Sequence, residues 1–215
     1  PLSSSAASDV YKRQSNISMK HLILIRHGQS EWNQQKRFTG WVDVGLTDKG
    51  RAEAKKAGEL IKEKKIKLDS FYSSYQKRAN DTLKIVMKEL NEDENLITKK
   101  WQLNERHYGE LTGLNKEDMK KKYGEEKIHQ FRRSWDVKPG ALDRKSPYHP
   151  LNIETYKDIP VSDIPDTESL KDTHKRVVDC YNELILKDLQ NGKGVCISAH
   201  GNSLRAVSYT HLRAH

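Results

Sequence analysis

At 215 residues, with 34% hydrophobic residues and a mean hydropathy of −0.91, the chain has the size of one domain with a heavily ionic exterior. Its formal charge of +9 reads first as a lysine-rich solvated surface and second as provision for an acidic ligand. No stretch interleaves basic and aromatic residues as nucleic-acid modules do, and no run of about 18 apolar residues is present to cross a membrane, so neither partner is expected.

Residues 1–18 are small and polar, lack periodicity and lack the apolar core of a signal peptide; they are expected to be disordered and foreign to the natural protein. A strand is predicted over residues 21–26, where Leu22, Ile23, Leu24 and Ile25 suggest burial on both faces of a parallel sheet. It ends in Arg26, His27 and Gly28, the last permitting a sharp turn. Thr47 is an expected N-cap, followed by a helical face of Ala54, Ala57, Gly58 and Ile61. A second strand is predicted over 69–73 and a second helix from about Tyr75 to Leu90. An acidic turn follows, then a third strand near 96–101 leading into LNERHYGELTG.

From Asn115 to about Pro165 short amphipathic pieces give way to a segment holding five of the six prolines, a stretch expected to form a lid. Helical spacing of Leu170, His174, Val177, Val178, Tyr181, Leu184 and Ile185 predicts a third main helix beginning near Thr167 and stopped at Asn191-Gly192. The apolar run 194–199 is a last strand. It ends in His200, Gly201 and Asn202, with a helix expected from Ser203. Cys180 and Cys196 lie in apolar segments and read as reduced core residues of an intracellular protein. The alternation of strands and helices predicts an α/β protein of three layers: a mainly parallel sheet flanked by helices, with a lid insertion.

Two strands thus end alike, in LILIRHG and VCISAHGN, which brings His27 and His200 to the carboxyl edge of the sheet, where open α/β folds bind ligands. No neighbouring His or Cys spacing suits a metal, and no G-x-S-x-G elbow is present, so neither a metal site nor a serine hydrolase is expected. A histidine nucleophile with cationic support remains. Neutral imidazole attacks phosphorus readily, which makes phosphoryl transfer the expected chemistry. Arg26, Arg78 at a helix start, Lys116, and the lid pair Arg132-Arg133 are candidate anion contacts. Glu105, beyond the third strand, is a candidate acid and base.

The segments RHGQSEWN, RFTGW, DVGLTDKG, KRANDTL, LNERHYGELTGLNK, FRRSW, TESL and AHGNSLRA, spread from about Lys20 to Val207, resemble the 2,3-bisphosphoglycerate-dependent phosphoglycerate mutases of the histidine phosphatase superfamily. The resemblance implies that His27 is the phosphorylated nucleophile, Glu105 the proton donor and acceptor, and His200 a second imidazole supporting the transferring group. It implies that Arg26 and Arg78 cradle that group with Ser30, Asn33, Gly201 and Asn202. Thr39, Gly40, Tyr108, Lys116, Arg132 and Arg133 are implied contacts to the carboxylate and second phosphate of the substrate. It implies interconversion of 3-phosphoglycerate and 2-phosphoglycerate in glycolysis, with 2,3-bisphosphoglycerate as primer and no metal, in a cytoplasmic homodimer or homotetramer. After Val207 the sequence SYTHLRAH departs from the family, whose chain continues through a further strand and a carboxyl tail. Residues 208–215 are therefore read, like 1–18, as a non-native flank of a mutase domain over 19–207, its lid at about 107–166 and its last sheet element truncated. Two other readings compete: a phosphatase of the same superfamily acting on a small phosphorylated metabolite, and a basic binding protein with a degenerate site.

Overall fold

The structure, a computed structural model, describes residues 21–213. The expected disordered flank 1–18 lies outside the described residues. Strand β1 (Leu22–Arg26) leads through a one-turn helix α1 (Glu31–Gln34) to α2 (Asp48–Glu63), and β2 (Ser70–Ser73) leads to α3 (Lys77–Glu89). Strand β3 (Ile97–Lys99) is short; α4 (Lys116–Tyr123) and α5 (Glu125–Arg133) follow, separated at Gly124, whose φ is +85°. Helix α6 (Leu170–Cys180) passes through a π turn (Tyr181–Ile185) into α7 (Leu186–Gln190), then β4 (Val195–Ala199) and α8 (Gly201–Arg213). As expected, Thr47 caps α2, its side chain accepting from the Gly50 N–H. Helix α8 begins two residues before the predicted Ser203 and runs on through 208–213. No helix among the described residues is long and apolar enough to cross a membrane.

The strands form one parallel sheet in the order β1-β4-β2-β3, with Leu22 opposite Val195, Arg26 opposite Ala199, and Ser73 opposite Ser198. Alternate side chains of each strand feed two cores. Ile25, Phe71 and Cys196 pack with Ile61, Leu83, Val86 and Met87 of α2 and α3. Tyr72, Val195, Ile197 and Ala199 pack with Val177, Cys180, Tyr181 and Ile185 of α6 and the π turn, and with Leu204 and Val207 of α8. This is the expected three-layer α/β architecture, and both cysteines are buried and free.

Three expectations are corrected. Strand β1 lies at the edge of the four-stranded sheet, so Leu22, Ile23 and Leu24 are half-buried; β4 is the strand buried throughout. The buried face of α6 also carries polar side chains, Thr173 and Arg176, that its apolar spacing did not mark. Finally, the lid stretch divides in two. Phe131 and Met119 of its two helices cover Phe38, Leu111 and Ile128, whereas Tyr156, Ile159 and Ile164 of the proline-rich half are packed around Trp41 as a further core. The Tyr156 hydroxyl donates to the Trp41 carbonyl, which seats this half against the body of the protein.

Candidate active site

The carboxyl ends of β1, β4 and β2 lie side by side, and the next residue on each is His27, His200 and Ser74. The His27 and His200 rings are 5.0 Å apart between centroids. The main chain of His27 is still tied to the sheet, its N–H donating to the Ala199 carbonyl at 3.1 Å. The following Gly28 is required by close approach rather than by a sharp turn: a Cβ there would lie 2.1 Å from the Gly50 carbonyl oxygen. His27 Nδ1 bonds the Gly28 carbonyl at 2.7 Å. A carbonyl only accepts, so Nδ1 carries the ring proton and Nε2 presents a lone pair. Burial, then the positive charges of Arg78 and Arg26, lower the pKa of His27 to about 3, against the opposing Gly28 bond.

That shift has a measurable consequence. The unfolded chain takes up a proton on His27 near pH 6.5, whereas the folded one refuses it until about pH 3. The unfolded state therefore binds more protons between these values, and the stability present above pH 6.5 is lost as the pH falls. Between pH 7 and pH 5 the wild-type protein should lose about 2 kcal/mol through this group, and His27→Asn should remove that part of the slope. Denaturant midpoints for both proteins at the two pH values measure it. Equal slopes would mean that His27 is not held neutral by the fold.

His27 opens on a cavity of about 300 Å³. Its lining includes Arg26, Arg78, Lys116, Arg132, Arg133 and Arg205, with Glu105 the one carboxylate. Such a balance suits a small polyanion. Arg78 is the most deeply set; its guanidinium donates to the Gly40 carbonyl at 2.9 Å, the Val42 carbonyl at 3.0 Å and Gln76 Oε1 at 3.3 Å. Gln76, fully buried, also fixes its surroundings. Its Oε1 accepts from the Glu105 N–H at 2.9 Å and its Nε2 donates to the Gly40 carbonyl at 2.8 Å. Glu105 Oε1 accepts from Asn202 Nδ2 at 3.0 Å, and the same amide reaches the Tyr108 hydroxyl at 3.4 Å. Burial raises the pKa of that hydroxyl. Lys116, at the start of α4, sits over the Phe38 ring at 5.8 Å; burial first, and then Arg132, lowers its pKa.

Of the residues singled out from sequence, Arg26, His27, Asn33, Thr39, Gly40, Arg78, Glu105, Tyr108, Lys116, Arg132, Arg133, Gly201 and Asn202 line this one cavity. Ser30 and His200 do not. Ser30 is fully buried beneath it, where its hydroxyl accepts from the Asn33 N–H and Asn33 Oδ1 accepts from the Ser30 N–H, a reciprocal cap that orients Asn33. His200 is also fully buried, behind the wall, with Nε2 bonded to Ser74 Oγ at 2.8 Å. Burial first, then Arg78, holds its pKa well below the ordinary value.

Four contributors were not foreseen. Arg205 lines the cavity, and its place four residues after Gly201, one turn along α8, is a signal that pointed to it. Gln76, Glu168 and Arg176 support the site from below. The Arg176 guanidinium pairs with Glu168 at 2.7 Å and donates to the carbonyls of Gln102, Asn104 and Glu105, which pins the segment carrying Glu105. No group of three or more His, Cys, Asp or Glu side chains suited to a metal occurs among the described residues.

The sequence profile of the histidine phosphatase superfamily (branch 1) matches residues 22–149. A 2,3-bisphosphoglycerate-dependent phosphoglycerate mutase of Pelagibacter ubique is 64% identical over 88% of this chain and 79% of its own. Mutases of the same name from Borreliella burgdorferi and Bacteroides fragilis are 49% and 46% identical over 88% of this chain and 76% of theirs. Among solved structures, a mycobacterial glucosyl-3-phosphoglycerate phosphatase shares the fold, with a TM-score of 0.68 at 22% identity over 90% of this chain and 81% of that one. The chain that sets His27 and His200 side by side at the end of its parallel sheet belongs to the 2,3-bisphosphoglycerate-dependent phosphoglycerate mutases of the histidine phosphatase superfamily.

Proposed function

We propose that the protein interconverts 3-phosphoglycerate and 2-phosphoglycerate, the glycolytic mutase reaction, through a phosphohistidine at His27 primed by 2,3-bisphosphoglycerate. The observation that carries this reading is the arrangement itself: an imidazole with a free Nε2 facing a small cavity lined by six cations and one carboxylate. In the transfer step Nε2 forms a bond to phosphorus while the bond from phosphorus to the donor oxygen breaks, and Glu105 gives a proton to the departing oxygen. In the other half of the cycle the free hydroxyl of a bound monophosphoglycerate attacks phospho-His27, breaking its N–P bond and giving its proton to Glu105, which makes 2,3-bisphosphoglycerate; the transfer step then takes the phosphoryl group from the other oxygen. Arg26 and Arg78, with Asn33, Gly201 and Asn202, balance charge on the moving group. Thr39, Gly40, Tyr108, Lys116, Arg132 and Arg133 hold the carboxylate and the phosphate that is not moving. The two lid helices keep water from phospho-His27 between half-reactions. No step calls for a metal. In this reading the enzyme works in the cytoplasm, where its substrates are, as a homodimer or homotetramer.

The competing reading is a phosphatase, in which water is the acceptor. Lys116 and the Arg132-Arg133 pair favour the mutase, because they provide for a second anionic group that hydrolysis does not need. The test is an assay that follows both 2-phosphoglycerate and free phosphate from 3-phosphoglycerate. Conversion should depend on a catalytic amount of 2,3-bisphosphoglycerate and be unchanged by EDTA; release of phosphate in step with substrate loss would overturn the mutase reading. In the same assay Arg132→Ala should raise KM for 3-phosphoglycerate about 10- to 100-fold, the effect of one charge-assisted contact, with kcat changed far less.

A further inference from the structure

The mutase reading leaves open how His200, shut away from the cavity wall, helps the transfer. Its hydrogen bonds settle one part of this through Ser74: which ring nitrogen of His200 carries the proton. Ser74 is fully buried at the end of β2, and its hydroxyl has two neighbours: the Gln76 N–H at 3.2 Å and His200 Nε2 at 2.8 Å. The amide can only donate, so it uses one lone pair of the Ser74 oxygen. The hydroxyl proton then has one acceptor within reach, His200 Nε2. If Nε2 instead carried the imidazole proton, Ser74 would accept twice, and its own O–H would be a buried donor with nothing to bond. Nδ1 would at the same time be a buried lone pair without a donor. Unmade bonds of this kind are costly in a dry interior. In the opposite tautomer the Ser74 hydroxyl is fully used and one group remains over: the N–H on Nδ1, buried and without a protein partner.

We propose that Ser74 is a positioning residue that fixes His200 as its neutral Nδ1–H tautomer, so that the ring packed beside His27 has its Nε2 lone pair tied to Ser74 and its proton on Nδ1. The proposal rests on the phosphoryl-transfer reading of the site and adds the protonation state of its second histidine. The charged groups around the ring agree with a neutral imidazole. Burial acts first, and Arg78, His27, Arg176 and Arg26 all oppose a further positive charge there. A neutral donor also does not protonate the Nε2 lone pair of His27, on a ring 5.0 Å away. His27 and His200 then carry their protons on the same nitrogen, Nδ1, with different results: in one Nε2 is left free, in the other it is left to accept from Ser74.

Isotope-labelled imidazole NMR at pH 7 reads the tautomer directly, with the His200 signals assigned by their loss in His200→Gln. The wild-type protein should show His200 as Nδ1–H. Ser74→Ala should mix the tautomers or turn the ring to Nε2–H, with the backbone amide spectrum otherwise kept. It should also slow phosphorylation of His27 about tenfold, the factor one hydrogen bond sets, with KM little changed. Ser74→Thr, which restores the hydroxyl, should return both the tautomer and the rate. A wild-type His200 in the Nε2–H form would overturn the proposal, and so would a Ser74→Ala protein with tautomer and rate unaltered. The NMR result stands without turnover, so it separates failure of this proposal from failure of the mutase assay.

Discussion

His27→Asn is expected to leave no acid-labile phosphate on the protein after exposure to radiolabelled 2,3-bisphosphoglycerate, and to lower mutase turnover by about 10⁴-fold or more, the scale on which covalent catalysis is lost with its nucleophile. The reason is local. His27 alone among the paired histidines faces the cavity, with its Nε2 left free because Nδ1 is spent on the Gly28 carbonyl. His200 has Nε2 committed to Ser74 and is fully buried, and His107 uses Nδ1 to accept from the Gly109 N–H, so neither stands ready to substitute. The cations should still hold the substrate, so binding of 3-phosphoglycerate should persist while the chemistry is gone. Label remaining on the His27→Asn protein would move the nucleophile elsewhere and sink the assignment.

The second large effect concerns stability. Arg176→Ala should destabilise the protein by about 3–5 kcal/mol, because it abandons a buried carboxylate. Glu168 is only 4% exposed, and burial alone would raise its pKa; the Arg176 guanidinium, with the Arg176 and His107 N–H bonds, overrides burial and holds it below the ordinary value. Removing Arg176 also strips donors from the Gln102, Asn104 and Glu105 carbonyls. The double variant Arg176→Met with Glu168→Leu should be less damaged than the sum of the single changes, since no lone charge remains. Denaturant unfolding of the three variants measures this. A single-variant loss below about 1 kcal/mol would show that the pair is not what secures the floor of the site.

Much of the site was legible because the sequence writes it at the ends of strands. His27 and His200 each follow an apolar run, and Arg78 and Glu105 each follow a shorter one, so the rule that parallel sheets bind ligands at their carboxyl edge collected them. The remainder was hidden for physical reasons. Sheet order depends on crossovers between distant segments, so nothing local to β1 announces that it is an edge strand. Arg176 lies on helix α6 and Glu168 just before its N-cap Ser169, places where charges usually face water. Only their mutual pairing, across eight positions, allows both to be buried. Gln76 and Ser74 look like ordinary loop polars until their partners, Gly40, Glu105 and His200, are known. The π turn at Tyr181–Ile185 adds a residue to one turn, which an even helical spacing passes over.

The register of the sheet carries one more implication. Arg26 faces Ala199 and Ser73 faces Ser198, so His27, His200 and Ser74 hang from neighbouring rungs of one backbone ladder. Adjacent strands are spaced at about 4.8 Å, and the two imidazole centroids stand 5.0 Å apart. The ladder thus serves as a ruler: the gap between His27 and His200 is measured by main-chain hydrogen bonds, which substitutions of side chains scarcely alter. Tolerances elsewhere differ accordingly. The residues around the cavity sit on helices and loops, free to diverge in length and charge, while the separation of the two imidazoles is inherited from the sheet.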